Sequence, residues 1–522
     1  MLYFIPAWYS RNSFKENSQQ WHQRRLVSEV DDTVKQLQLF DRKKICDTCT
    51  LLLNHAPNYR HFLHRQGLLH NNYFSVFDSI QNVKVKKPAV FSYRDLKWPS
   101  DIEFVYSPFC VIAYLDGKKY AQIEFGEDGN MIQIDMYQDD VIKRRNIYDD
   151  RGFLSLTIVY EKGNWVYEQY LNPNGTWVVC KCNDNRVLVN EKENKYLIND
   201  EYHPFLKSEY DGIEEIIKEV LISYLKYTNK DDIFVLAMHK LHSSLLSEAL
   251  NNRKTILSFF NNRCRLDDKY SITLCDEADA IVLDSKDTYY KVGLDRFNYD
   301  NKITNITPFD CRVDFGISGQ LKQKNILLSV DLLSNEEYEK VIIILMNYML
   351  KNNDVRTILF TRNGAYNIED KLLNKTKDIL DKNGFDSDYA SKKSNVKFEN
   401  NLNDSLPILF YVRQCIDELS LSKCLKEQRL VIDLGKQTDL FLQIGSISMG
   451  IPMIIGKSSE YVENGKNGFV LNDLDKLDKV LSYYLNTLNN WNNAMIASYE
   501  IGKKFSSDNL VKWWKGVIDY VL

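Results

Sequence analysis

No run of 18 apolar residues occurs in this 522-residue chain, so no membrane-spanning helix is expected. The nearest approach, Val341 to Leu350, is preceded by Glu339 and Lys340 and closed by Lys351. Positive charge is not in excess either: 67 Lys and Arg stand against 71 acids, a net charge of −4. That balance gives a nucleic-acid backbone little to hold, and no nucleic-acid partner is expected. Ten cysteines are too few for a disulfide framework in a chain this long. Met1 to Tyr9 is apolar but lacks a basic leader and a small-residue cleavage site, and Pro6 interrupts it. It reads as a first buried strand. A cytoplasmic protein with reduced thiols is therefore the expectation. Internal repeats and low-complexity tracts are missing too. What the chain has in quantity is aromatic residues, 12% of the total with 32 tyrosines.

Pattern and turn chemistry give an order of elements. Residues 1–88 read as strand, helix, strand, helix, with an amphipathic helix from about Ser28 to Phe40 carrying Val30, Val34, Leu37 and Phe40 on one face. From Trp98 to Val189 short alternating runs are separated by Asp116-Gly117, Asp128-Gly129, Lys162-Gly163-Asn164 and Asn172-Pro173-Asn174-Gly175. These are hairpin signals, and they predict an antiparallel meander inserted into the first domain. Helix–strand alternation then resumes through Ile213–Tyr227, Ile233–Met238, Leu241–Asn251, Thr255–Phe260 and Ala280–Asp284. A second series follows at Asn325–Val330, Ser334–Lys351, Thr357–Phe360, Pro407–Tyr411, Arg429–Asp433 and Met453–Ile455, with closing helices near Leu474–Thr487 and Leu510–Val521. The fold expected is α/β: two doubly wound Rossmann-like domains, the first interrupted by a β-meander. The divisions fall at 1–88 and 206–316 for the first domain, 89–205 for the insertion, 317–500 for the second domain and 501–522 for a C-terminal crossover helix.

Several local signals have ordinary explanations. Asp31 and Asp32 at a helix start most simply meet the macrodipole. Cys46-Asp47-Thr48-Cys49 lacks a second C-x-x-C or a spaced His pair, so no metal site is expected. His61 and His64, with Arg65 beside them, could form a helix face with Arg60 that contacts a partner or glycan. The tail Leu510, Trp513, Trp514, Val517 and Val521 has helical spacing with Lys512 and Lys515 opposite. Packing on the core is the expectation for it; peripheral contact with the inner face of the cell membrane is the alternative.

The segment Gly450-Ile451-Pro452-Met453-Ile454-Ile455 followed by Glu463-Asn464-Gly465-Lys466-Asn467-Gly468-Phe469-Val470 resembles the donor-domain core of retaining glycosyltransferases of the GT-B fold. In that resemblance two Glu, eight residues apart, precede the G-x-P. The corresponding positions here are Gln437 and Gly445, and neither is an acid. Asp439 puts negative charge where a diphosphate would meet a helix N-terminus. After the strand ending at Val330, Ser334 and Glu337 form a capping box, and Glu336 and Glu337 would repel phosphate. Four lost contacts at roughly 1.5 kcal/mol or more each remove about 6 kcal/mol, about four decades of affinity. No catalytic residue and no cofactor are expected.

Tyr3-Phe4-Ile5-Pro6, Trp8-Tyr9, Asp31-Asp32-Thr33-Val34 and Phe62-Leu63-His64-Arg65-Gln66, taken with Val431-Ile432-Asp433-Leu434-Gly435 and Ser446-Ile447-Ser448-Met449-Gly450-Ile451-Pro452, carry a fuller resemblance. The chain looks like the family of the first Asp protein of the accessory Sec system. The resemblance implies a noncatalytic GT-B-like adaptor in a complex with the other two Asp proteins. That complex works with the accessory SecA motor and its SecY channel to export a glycosylated serine-rich-repeat adhesin. Gln437, Ser446 and Ser448 are candidates to touch substrate glycan. The alternative is an active GT-B glycosyltransferase with an atypical donor site.

Overall fold

The structure is a computed structural model that describes residues 1–10, 13–15, 31–392, 406–437 and 439–522. Two parallel seven-stranded sheets dominate it. The first runs in spatial order Ile303–Asn305, Ala280–Leu283, Lys254–Phe259, Ile233–Ala237, Leu2–Ile5, Thr48–Leu52 and Asn72–Ser75. Its N-terminal strand lies inside the sheet, all four residues buried. A continuous apolar run suits a strand covered on both faces, and Leu2 pairs in parallel with both Ile233 and Thr48. The order reverses beside this strand, as in doubly wound folds, so residues before and after the insertion build opposite halves of one sheet.

The described part of the first helix is Asp32–Lys43; the expected start at Ser28 and the apolar Val30 lie outside the described residues. Asp31 is its N-cap, accepting from Thr33 N at 2.9 Å and Val34 N at 3.3 Å. Val34, Leu37 and Phe40 are buried as their spacing requires.

The insertion is a ten-stranded antiparallel sheet from Glu103–Tyr106 at one edge to Glu209–Tyr210 at the other. That last strand falls past the expected division at 205. The half nearer the first domain shares its core, through Leu156, Tyr170, Val179 and Val187. The far half has a small core of its own around Ala113, Ile123, Ile134 and Tyr93.

The second parallel sheet runs Ala390–Ser391, Phe410–Gln414, Val355–Thr361, Lys324–Ser329, Gln428–Asp433, Met453–Ile455, Gly468–Val470. Ser334 caps the helix Asn335–Lys351 in the reciprocal box with Glu337, and the apolar Val341–Leu350 stretch lies within that helix. The expected order names neither the helices Lys269–Glu277, Ile368–Lys382 and Glu418–Leu425 nor Leu488–Lys504, anchored by Trp491, whose Nε1 donates to Arg429 O at 2.7 Å. The last of these carries the chain across the expected division at 500.

The final helix, Ser507–Val521, returns to the first domain. Trp514 is 1% exposed and meets Phe40 edge-on at 5.5 Å, while Leu510, Val517 and Val521 join the core of Phe4, Val235 and Ile256. Its apolar face is therefore spent on the protein, which corrects the membrane alternative for Trp514. Among the described residues no helix is long and apolar enough to cross a membrane.

Candidate functional site

In doubly wound folds ligands bind outside the C-terminal ends of the strands. Here those ends of the two sheets face each other. On the second-domain wall, strand Gln428–Asp433 turns into helix Leu440–Ser448. Asp439 caps that helix, accepting from Leu442 N at 3.0 Å, and pairs with the Arg362 guanidinium. The dipole end that would meet a phosphate is thus already neutralised by the helix's own cap. Arg362 lies 5.1 Å from the Phe441 ring centre, and Lys35 of the first domain reaches the same ring at 5.6 Å. Phe441 in turn packs on Phe309 at 5.2 Å, and Phe309 on Phe260 at 6.1 Å. An aromatic column joins the domains beside the helix start.

The other candidate positions behave similarly. Gln437 Oε1 accepts from Asn262 Nδ2 of the opposite domain at 3.5 Å. A side chain at Gly445 would meet Leu425 at once, 2.9 Å from an added Cβ. Ser446 is fully buried and donates to Leu442 O at 2.7 Å; Ser448 donates to Ile444 O at 2.8 Å and lies 3.2 Å from Cys311 Sγ. Both hydroxyls are bonded back into their own helix; Ser446 has no exposed surface to offer a glycan, while Ser448 is half-buried. Glu337 is held in its capping box, with Ser334 N donating at 2.8 Å; Glu336 is exposed. Asp433, buried at the strand end, accepts from Gln443 Nε2 at 2.9 Å. Burial, with Asp439 nearby, pushes its carboxyl up to about 6.

The first-domain wall is a buried ion cluster. Arg263 donates to Asp32 at 2.5 and 2.9 Å and to Asp31 at 3.2 Å, and Ser258 donates to Asp32 at 2.6 Å. Trp8 Nε1 donates to Asp31 at 2.9 Å. Asp31 and Asp32 therefore do more than meet a macrodipole: Asp32 is 1% exposed and holds a guanidinium 231 positions away, a pair that spacing alone did not announce. Burial and the neighbouring Asp32 raise the Asp31 carboxyl, while Arg263 holds Asp32 low against its burial. Close by, Tyr9 OH lies 2.8 Å from His242 Nδ1.

His61, His64 and Arg65 sit on the short helix Tyr59–Arg65. Arg65 pairs with Glu127 of the meander, and His61 lies 3.9 Å from Glu127 and 3.8 Å from Asp128. These two half-buried residues join the insertion to the first domain; of the three, His64 alone is exposed. Arg60 points the other way, buried between Asp149 at 3.1 Å and Asp150 at 2.6 Å. Arg151 completes the joint, binding Asp149 at 2.6 Å and Asp78 at 2.7 Å. Cys46 is exposed and Cys49 buried, both as free thiols.

Two further contacts cross the cleft. Lys457 pairs with Asp287, and Lys286 N donates to Glu460 at 2.6 Å. Sequence reading missed Lys35, Arg362 and Phe441; the last was visible only as an apolar residue just inside a helix start.

Comparison with known proteins follows the same lines. The pneumococcal O-GlcNAc transferase GtfA, solved with UDP and GlcNAc, has the same fold: TM-score 0.70, 12% identity, covering 100% of this chain and 98% of that one. A chain in the crystal structure of accessory secretory protein 1, 2 and 3 of Streptococcus pneumoniae is 28% identical. It has a TM-score of 0.80 and covers 100% and 99%. The first Asp protein of the accessory Sec system of Streptococcus gordonii is 32% identical over 99% of this chain and 98% of its own length. The family model for the first Asp protein of the accessory Sec system matches residues 1–519. The chain belongs to that family, the first of the Asp proteins of the accessory Sec system.

Proposed function

We propose that the protein is a noncatalytic adaptor of an accessory Sec complex, a glycosyltransferase scaffold kept for its shape. One observation carries the reading: the helix N-terminus that would receive a donor diphosphate is closed by its own Asp439, paired with Arg362. A nucleotide sugar would have to break that pair, meet the acids Glu336 and Glu337, and find Gln437 and Gly445 in place of two carboxylates. Its partners in this reading are the other two Asp proteins, the accessory SecA motor and a glycosylated serine-rich-repeat adhesin. The similar pneumococcal chain comes from a structure of accessory secretory proteins 1, 2 and 3, which supports the first two. The site of action is the cytoplasm, at the inner face of the membrane where the export machinery works.

Two experiments test this. Calorimetry with a panel of UDP- and GDP-sugars should give no binding at millimolar donor; micromolar affinity for any of them would sink the noncatalytic reading and favour an atypical glycosyltransferase. Co-expression with the other two Asp proteins should give a complex that survives gel filtration. Separate elution would remove the adaptor role.

A further inference from the structure

The ten-stranded sheet ends on Glu103–Tyr106, which pairs on one side only, with Val111–Leu115. Ser107 N donates to Cys110 O at 3.0 Å across the connecting turn. Bonded and non-bonded pairs alternate back from there in an antiparallel ladder. Val105 and Glu103 therefore turn their main-chain groups towards the neighbouring strand. Phe104 and Tyr106 turn theirs outward. Sheets normally guard such an edge with lysine, proline or a bulge. This strand reads Glu-Phe-Val-Tyr, with Val105 49% and Tyr106 60% exposed. The opposite edge of the same sheet is protected: Glu209–Tyr210 is two residues long, and buried Tyr210 donates to Glu219 at 2.5 Å. Charge is graded along the open edge. Asp101 and Glu103 are exposed at its start, while Arg94 donates to the Tyr106 hydroxyl at 2.7 Å at its end.

We propose that this edge receives an extended strand from a different polypeptide, one with a basic residue beside Asp101 and Glu103 and an acidic residue near Arg94. Main-chain bonds at Phe104 and Tyr106 supply affinity, and the graded charge sets direction. The proposal rests on the complex reading above and names a surface for it. A second copy of this chain fits poorly. Two-fold pairing of Phe104 with Tyr106 sets Glu103 against Ser107 of the other copy, leaving the acids unmatched.

Hydrogen exchange by mass spectrometry, on the chain alone and in its complex with the other two Asp proteins, tests this. The amides of Phe104 and Tyr106 should exchange at least tenfold more slowly in the complex. Tyr106→Pro removes an outward N–H without removing a ladder bond, and Glu103→Lys reverses the charge. Each should cut co-purification at least tenfold while circular dichroism stays unchanged. A complex that forms with both amides exchanging as in the free chain would overturn this surface alone. Failure of the unaltered chain to form any complex would overturn the adaptor reading and this surface with it. Protection in the isolated chain, together with a dimer mass, would make the occupant a second copy and overturn the proposal as stated.

Discussion

The joint between the first domain and its insertion rests on single residues. Arg151, with a side chain 2% exposed, serves Asp149 and Asp78 together. Removing one partner of a buried pair leaves the other charge unmatched and costs about 3–5 kcal/mol. Arg151→Ala should lose that much in urea unfolding, whereas a surface change such as Arg186→Ala should stay within about 0.5 kcal/mol. Nearby, burial pushes His55 down to about 3, with Lys15 adding to the effect. Its ring lies 2.7 Å from Ser155 Oγ. The sign follows from proton counts: below about pH 6.5 the unfolded chain binds a proton that the native imidazole refuses, so stability falls as pH drops. At pH 5 that amounts to about 2 kcal/mol for one such group, at 1.36 kcal/mol per unit. His55→Gln should therefore be destabilised at pH 7.5, with its deficit against the parent narrowing by about 2 kcal/mol at pH 5. An unchanged gap in paired urea titrations would mean His55 is not held neutral. None of this was legible in the sequence. Arg60 looked like solvated helix surface because its partner Asp150 lies 90 positions away.

Elements were more readable than residues, for physical reasons. Buried parallel strands announce themselves as apolar runs, and Met453–Ile455 and the Ser334–Glu337 cap appear where spacing put them. Strands Ala390–Ser391 and Gly468–Val470 are too short to show a period. Helix Leu488–Lys504 was hidden by Asn489, Asn490, Asn492 and Asn493, which depress helix propensity without stopping a helix that packs through Trp491 and Ala494. The last helix gives the prediction at this scale. Its apolar stripe fills the first domain, so Trp514→Ala should cost about 3–5 kcal/mol as a large-to-small core change. Replacing Lys512 and Lys515, both exposed, with Ala should shift stability by less than about 0.5 kcal/mol. Thermal unfolding of the two variants separates these outcomes, and equal shifts would mean the helix is not docked through Trp514.

At the scale of the whole molecule, the place where a GT-B donor would be expected forms part of the joint between two domains. That no carboxylate stands at 437 or 445 was legible from the resemblance to GT-B donor domains. What surrounds those positions was not, because Arg362 stands 77 positions from its partner Asp439 and Lys35 reaches Phe441 only when the domains meet. The distinction has a consequence. If the lost acids alone had silenced the site, restoring them would revive it. In the structure Gly445 faces Leu425, Asp439 is held by Arg362, and Phe441 is wedged between two cations and Phe309. Gln437→Glu with Gly445→Glu should therefore still give no measurable heat with UDP-GlcNAc. Closure behaves the same way: Lys35 pairs with Glu418 at 2.5 Å and Lys457 with Asp287, holding the walls together through side chains of the chain itself. Small-angle scattering should show one radius of gyration with or without millimolar UDP-sugar. A ligand-dependent contraction would mean that the cleft still opens to nucleotides, and that the aromatic and ionic contacts across it are too weak to keep it shut.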